Sequence, residues 1–273
     1  MIRNSRNLFL LSIVLLAIIF SSGCKMFDYS PYDVHISGEK NINATNIIRI
    51  EKSCHDKDTL RIAAMGDSQR FYDETLDFVN HINTRGDIDF VIHGGDFTDF
   101  GATDEFIWQR DILQKLKVPY VGLLGNHDCL GSGKEAYEAI WGKANFSFIA
   151  GNIKFVCLNT NALEYDYSEA IPDFDFITNE IADRKDDFFR TIVCMHAAPF
   201  SDVFNNNVAS VFERYINELP GLMFCFNAHG HSIKVDNLYG DGLIYYQCDC
   251  MQSRTYILFT ITKGGYTYEV CHY

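Results

Sequence analysis

Five short apolar runs in this chain end in side chains able to hold a metal ion. "RIAAM" is followed by Gly66, Asp67, Ser68 and Gln69, "FVIH" by Gly94, Gly95 and Asp96, and "VGLL" by Gly125, Asn126, His127 and Asp128. "TIVCM" ends at His196, and "MFCFNA" ends at His229 and His231 with Gly230 between them. Carboxylate and amide oxygens together with imidazole nitrogens are the donors that divalent first-row cations accept in mixed shells. Each group alone is weak evidence, because Gly-Asp is a common turn dipeptide and a lone strand-end histidine is usually a satisfied structural residue. The conjunction is much stronger. In an extended segment residues i and i+2 point the same way, so His229 and His231 are expected to point to one side, Gly230 removing the side chain between them.

The positioning elements follow from the spacing. From Thr59 onward, compact apolar runs alternate with stretches such as "YDETLDFVNHIN" and "DEFIWQRDILQKL", whose apolar residues recur every three or four positions. Strand and helix in repetition predict an α/β fold with helices packed on a sheet, and in such sheets ligands bind outside the carboxyl ends of the strands. Groups spread over more than half the chain are therefore expected to meet in one crevice. After His231, "GLIYYQ", "TYILFTI" and "YTYEV" lack helical stretches between them and predict an antiparallel meander. Upstream, "DVHIS" and "NIIRIE" alternate apolar and polar residues and predict a small hairpin. Residues 24–58 are thus read as a tether and hairpin, and 59–273 as the main domain.

The series "GDSQ", "GGDFTD", "GNHD", "MH" and "AHGH", in that order, resembles the calcineurin-like metallophosphoesterase superfamily. The resemblance implies a two-layer β-sandwich flanked by helices (αββα) with two divalent metal ions at the strand ends, Mn, Fe or Zn, with Mn favoured. It implies that Asp67, Gln69 and His231 hold the first ion, that Asp96 bridges both, and that Asn126, His196 and His229 complete the second site. His127 is implied as the acid at the leaving oxygen, oriented by Asp128, with Asp99 in support. The implied reaction is hydrolysis of small phosphomonoesters, phosphodiesters or nucleotide pyrophosphates by a metal-bridging hydroxide. Physically, a bridging carboxylate offsets the repulsion of two cations about 3.5–4 Å apart. An alternative reading is a catalytically weak metal-binding lipoprotein that uses the fold for ligand or partner binding.

Three positions depart from the family pattern. Gln69 stands where the first motif usually has His; its amide oxygen is a weaker donor and tilts the site toward ions that accept oxygen. Ala228 replaces the usual Gly, which matters if that position needs positive φ. Cys129 follows "GNHD" and is read as a spectator. Arg70 is read either as a phosphate contact or as a surface ion pair, His93 as a core histidine, and "ALEYDYSEAIPDFDF" as a rim that runs into a helix.

A net charge of −13 over 273 residues argues against a nucleic acid polymer as partner. The N-terminal stretch carries Arg3 and Arg6, an apolar run from Leu8 to Phe20, and "SSGC". It predicts a secretory signal over residues 1–23 of the lipoprotein type, Cys24 carrying the lipid, although Ser21 stands where Leu is more usual. The protein is therefore expected outside the cytoplasm, anchored to a bacterial membrane. Of the nine cysteines, Cys157, Cys194 and Cys225 sit in apolar runs and are expected to be free thiols. Cys248 and Cys250 share a strand face and are poorly placed to bridge each other; the pairing of Cys54 and Cys271 stays open.

Overall fold

Two sheets face each other across a shared apolar core, with helices on both outer faces. The structure, a computed structural model, describes residues 30–162 and 168–273. In chain order the elements are α1 (Ile42–Cys54), β1 (Thr59–Met65), α2 (Tyr72–Thr84), β2 (Phe90–His93), α3 (Thr103–Leu113), β3 (Tyr120–Gly122), α4 (Gly133–Ile140), β4 (Phe146–Ala150) and β5 (Ile153–Leu158). They continue with α5 (Phe174–Ala182), β6 (Arg190–Met195), α6 (Ala209–Asn217), β7 (Leu222–Asn227), β8 (Lys234–Asp236), β9 (Tyr245–Gln247), β10 (Thr255–Thr262) and β11 (Gly265–His272).

One sheet has the order β11-β10-β1-β2-β3 and the other β4-β5-β6-β7-β9-β8. The strands that carry the chemistry are parallel neighbours: β1 with β2, β2 with β3, and β6 with β7. Parallel strands are covered on both faces, which is why "FVIH" and "TIVCM" read as unbroken apolar runs. The two-residue period sorts their side chains. Leu60, Ile62 and Ala64 of β1 join Phe90, Phe155, Ile192 and Phe224 between the sheets. Ala63 and Met65 point outward to Phe78 of α2, Phe106 of α3 and Tyr137 of α4. On the opposite face, Val193 and Met195 pack under Ile177 of α5 and Phe212 of α6. This is the αββα sandwich expected from the sequence.

Residues 42–54 form helix α1, not the second strand of a hairpin. "NIIRIE" is too short a window to separate the two periods; over 13 residues the buried positions Ile42, Asn43, Asn46, Ile50 and Cys54 follow helical spacing. The helix lies along the outer strand of the first sheet and satisfies its backbone. Asn43 Nδ2 donates to Gly122 O at 2.9 Å, Gly122 N donates to Asn43 Oδ1 at 2.9 Å, and Asn46 Nδ2 donates to Tyr120 O at 2.8 Å. A sheet edge that would otherwise be free to pair with another chain is covered.

The C-terminal strands do not form one meander. β9 pairs parallel with β7 and antiparallel with β8 in the second sheet, whereas β10 and β11 form an antiparallel hairpin joined to β1 in the first. Alternation fixes which face of a strand is buried but not which sheet receives it. The expected helix in "FDFITNEIADR" is α5, capped by Asp173, whose side chain accepts from Phe176 N. Part of the expected rim, residues 163–167, and the segment carrying the signal and Cys24 lie outside the described residues. Among the described residues no two cysteines are joined by a disulfide. Among the described residues, no helix is long and apolar enough to cross a membrane.

Candidate metal centre

Asp67, Asp96 and His196 are fully buried, and one donor atom of each lies within 4.8 Å of the others. They arrive from the carboxyl ends of β1, β2 and β6. Main-chain bonds stitch the first two loops together: Asp67 N donates to Gly95 O at 2.9 Å and Gln69 N to Asp96 O at 3.0 Å. Gln109 of α3 holds the same loop from behind, donating to Ser68 O at 3.0 Å and Gln69 O at 2.7 Å.

Both aspartates are tied by one oxygen and leave the other facing the cluster. Asp67 Oδ2 accepts from His229 N at 3.0 Å, while buried Oδ1 has no hydrogen-bond partner and lies 3.3 Å from His231 Nε2. Asp96 Oδ1 accepts from His127 N at 2.9 Å, and Oδ2 lies 3.4 Å from His196 Nε2. The histidines follow the same rule. His196 Nδ1 donates to Gly94 O at 2.8 Å, and its Nε2 sits 2.9 Å from Asn126 Oδ1. His229 Nε2 bonds Asp202 Oδ1 at 2.7 Å, and its Nδ1 sits 3.0 Å from Asn126 Oδ1. An outer acceptor on one ring nitrogen fixes the tautomer that turns a lone pair inward, the arrangement metal-ligating histidines use.

The buried Asp67, Asp96 and His196 donors therefore fit a divalent cation, with His231 beside Asp67, and Asn126 beside His196 and His229. A buried carboxylate oxygen without a partner is costly unless a cation or a donor meets it. The buried charges offset one another. Burial alone would raise Asp96, but the positive charge and hydrogen bond of His196 outweigh it and bring the carboxyl to about 2. Burial likewise disfavours the charged His196, and Asp96 overrides it, raising the imidazole to about 9.

Five of the residues placed at the centre have left-handed backbone: Asp67 (φ 51°), Gln69 (φ 27°), Asp96 (φ 60°), His229 (φ 69°) and His231 (φ 44°). Such conformations cost energy in non-glycine residues and persist where the surroundings impose them. His229 and His231 do reach opposite parts of the centre, but through this twisted backbone and not through an extended segment. Ala228 has no positive φ, so its methyl is tolerated; it packs where Gly66 and Gly94 lack side chains. Gly125 has no room for one, since a Cβ there would lie 2.1 Å from Asp96 N.

Asp128 does not orient His127. Its buried carboxylate accepts from Asp96 N at 2.9 Å, Gly125 N at 3.0 Å, and Thr98 N and Oγ1 at 3.0 Å each, so it ties the second and third loops together. Burial and the charge of Asp96 raise it to about 7. His127 is oriented by Asp99, whose carbonyl lies 2.8 Å from Nδ1. The Asp99 side chain holds Arg70 at 2.6 Å, so Arg70 is ion-paired and largely exposed beside the centre. Gln69 is buried with Nε2 3.1 Å from Asp96 Oδ2, so its amide nitrogen and not its oxygen faces the shared carboxylate. Cys129 is buried, its Sγ 3.3 Å from Gly125 O. His93 is a core residue: it stacks on Phe97 at 3.9 Å and meets Ser68 Oγ at 2.8 Å. Asp202, a single acid in the loop after β6, carries no motif that would mark it in the sequence.

A model of the calcineurin-like phosphoesterase family matches residues 60–232. The chain belongs to that family. No curated protein sequence matches it significantly. Among solved structures it is similar to a dimetal phosphatase from Danio rerio, at 11% identity over 77% of this chain and 98% of that one, with a TM-score of 0.60. It is also similar to GAP50, the anchor in the inner membrane complex of Plasmodium, at 13% identity over 79% and 85% of the two chains, TM-score 0.56. A purple acid phosphatase from yellow lupin seeds matches at 14% identity over 76% of this chain and 50% of that one, TM-score 0.56. At these identities the likeness is one of fold.

Proposed function

We propose that this protein is a dinuclear metal-dependent phosphoesterase acting on small phosphomonoesters, phosphodiesters or nucleotide pyrophosphates. The observation that carries the reading is the position of Asp96: its Oδ2 lies between Gln69 Nε2 at 3.1 Å and His196 Nε2 at 3.4 Å, in one buried cluster with Asp67. When bound, a pair of divalent cations supplies charge neutralisation at the phosphoryl group and lowers the pKa of a water. The chain's own residues do the rest. Asp67, Gln69 and His231 would hold one ion, Asn126, His196 and His229 the other, and Asp96 would serve both. The Asp99 carbonyl keeps the Nδ1 proton of His127, leaving Nε2 to deliver a proton to the leaving oxygen when the ring carries its second proton. Arg70 is exposed at the rim and available to an incoming phosphate.

Mn²⁺ is the favoured ion because Gln69 offers oxygen in place of imidazole once its amide is turned over. The orientation described above, nitrogen toward Asp96, is also what favours a second reading, a weak enzyme that uses the centre for binding. The deciding experiment is turnover of p-nitrophenyl phosphate, bis-p-nitrophenyl phosphate and a nucleotide panel with Mn²⁺. Activity is expected, abolished by EDTA and lowered by several orders in Asp96→Asn. Unchanged turnover in Asp96→Asn removes the mechanism, and metal binding without turnover of any substrate selects the second reading. The proposed location, a bacterial membrane reached through a lipid on Cys24, rests on the N-terminal sequence. It is tested by metabolic labelling with a fatty-acid probe, expected to be lost in Cys24→Ser.

A further inference from the structure

Residues 31–33 lie between the two loops that follow β2 and β3. Thr103, the first residue of α3, donates from N to Pro31 O at 3.1 Å and from Oγ1 to Asp33 O at 2.9 Å. Ser132 Oγ bonds Tyr32 O, and the Tyr32 ring lies so close to Gly131 that a Cβ there would meet it at 2.4 Å. Farther along α3, the buried guanidinium of Arg110 bonds Ser37 O. The segment is thus fastened to the loops that carry Asp96, Asp99, Asn126 and His127.

Three large aromatic side chains are exposed around this place: Phe100 (60% exposed), Trp108 (53%) and Tyr32 (39%). Contacts join them into one patch. Phe100 N donates to Glu105 Oε2 at 3.1 Å, Trp108 stands one turn beyond Glu105 on α3, and its ring meets Tyr72 edge-on at 5.7 Å. Tyr32 joins through its neighbours Pro31 and Asp33, both bonded to Thr103. The patch borders the metal centre at Asp99, which precedes Phe100 and whose carbonyl lies 2.8 Å from His127 Nδ1. Single exposed aromatics are ordinary, but a group of them marks an interaction surface.

The length of chain before the patch says what covers it. Cys24, read as the lipid-bearing residue, stands six residues before Ser30. Fully extended, six residues span at most about 22 Å. A domain of this size is about 45 Å across, so so short a tether keeps its far side away from the surface that holds the lipid. The face where residues 31–33 are fastened is the one turned to the bilayer. Trp and Tyr settle at the headgroup level of a bilayer, each having an apolar body and a polar tip. Asp104, Glu105 and Asp111 flank Trp108 on α3, so aromatic burial and not attraction to anionic lipid makes the contact.

We propose that Tyr32, Phe100 and Trp108 form a membrane-docking patch that seats the metal centre at the headgroup level of the bilayer holding Cys24. The proposal rests on the lipid-anchor reading, and its test separates the two. The chain's two tryptophans are the probe, Trp108 in the patch and Trp141 fully buried in the core. The full chain, purified from membranes of the expressing bacterium, is reconstituted into phosphatidylcholine vesicles with and without acyl chains brominated near the headgroup, which quench tryptophan on contact. It is expected to float with the vesicles and to lose Trp108 emission to the brominated lipid. Trp108→Phe, whose remaining emission comes from Trp141, is expected to show no such loss. A chain that floats with Trp108 unquenched overturns the docking patch while the anchor stands. Equal quenching in Trp108→Phe overturns it as well, because the signal then comes from the core. A chain that does not float removes the anchor and, with it, the patch.

Discussion

His229 Nε2 and Asp202 Oδ1 lie 2.7 Å apart, and the other nitrogen of the same ring faces Asn126 Oδ1 at 3.0 Å. An exposed loop carboxylate thus sets the direction of the His229 ring, and the bond to His229 in turn holds Asp202 below its ordinary range. Outer carboxylates on ligating histidines are worth about 10–100-fold in metal affinity. Asp202→Ala is therefore expected to weaken Mn²⁺ binding by that factor in a calorimetric titration, with the thermal midpoint of the metal-free chain unchanged. Equal affinity in the variant means the contact does not orient the ring.

Replacing Gln69 by His restores a nitrogen donor beside Asp96. In competition titrations Gln69→His is expected to shift preference from Mn²⁺ toward Zn²⁺ while the circular dichroism spectrum is retained. Superimposable titrations for the two forms would place residue 69 outside the metal shell.

His127 is tied to Asp99 and not to Asp128, so its substitution leaves the Asp128 bonds to Asp96, Thr98 and Gly125 intact. For His127→Ala the expected loss in kcat is about 10²–10⁴-fold with alkyl phosphates. With p-nitrophenyl phosphate, whose leaving group needs little protonation, the loss is expected to be much smaller. Equal losses on both substrates would argue against proton delivery by His127.

His93 is held neutral by burial, which lowers its pKa to about 3. In the unfolded chain the same ring takes up a proton near 6.5. Its contribution is complete above that pH and is lost as the pH falls toward 3, by up to about 1.4 kcal/mol per pH unit. Urea unfolding of the metal-free chain should show a shallower acid dependence in His93→Gln than in the native protein; parallel curves would show that His93 is not the group responsible.

The strand-end motifs were legible because buried parallel strands write themselves as continuous apolar runs, and the donors follow at once. What lay beyond them was less so. Four or five residues of "NIIRIE" satisfy either period, and the helix declares itself over its full length through Asn43 and Asn46, polar residues buried because they bond the backbone of β3. The orienting role fell to Asp128 in the sequence because it adjoins His127, whereas Asp99 lies 28 residues away and only the fold brings its carbonyl to the ring. Asp202 had no signal, being one acid in a polar loop. The twist at His229 and His231 was invisible because histidine accepts both extended and left-handed backbone.

That left-handed backbone imposes a second filter on the centre, independent of coordination. At positions 67, 69, 96, 229 and 231 a newcomer must tolerate positive φ before its donor atoms matter. Glycine, asparagine, aspartate and histidine pass; valine, isoleucine and threonine meet a steric barrier even with no cation present. Exchange of donors at these sites is thereby confined to a short alphabet, set by the chain's own torsions.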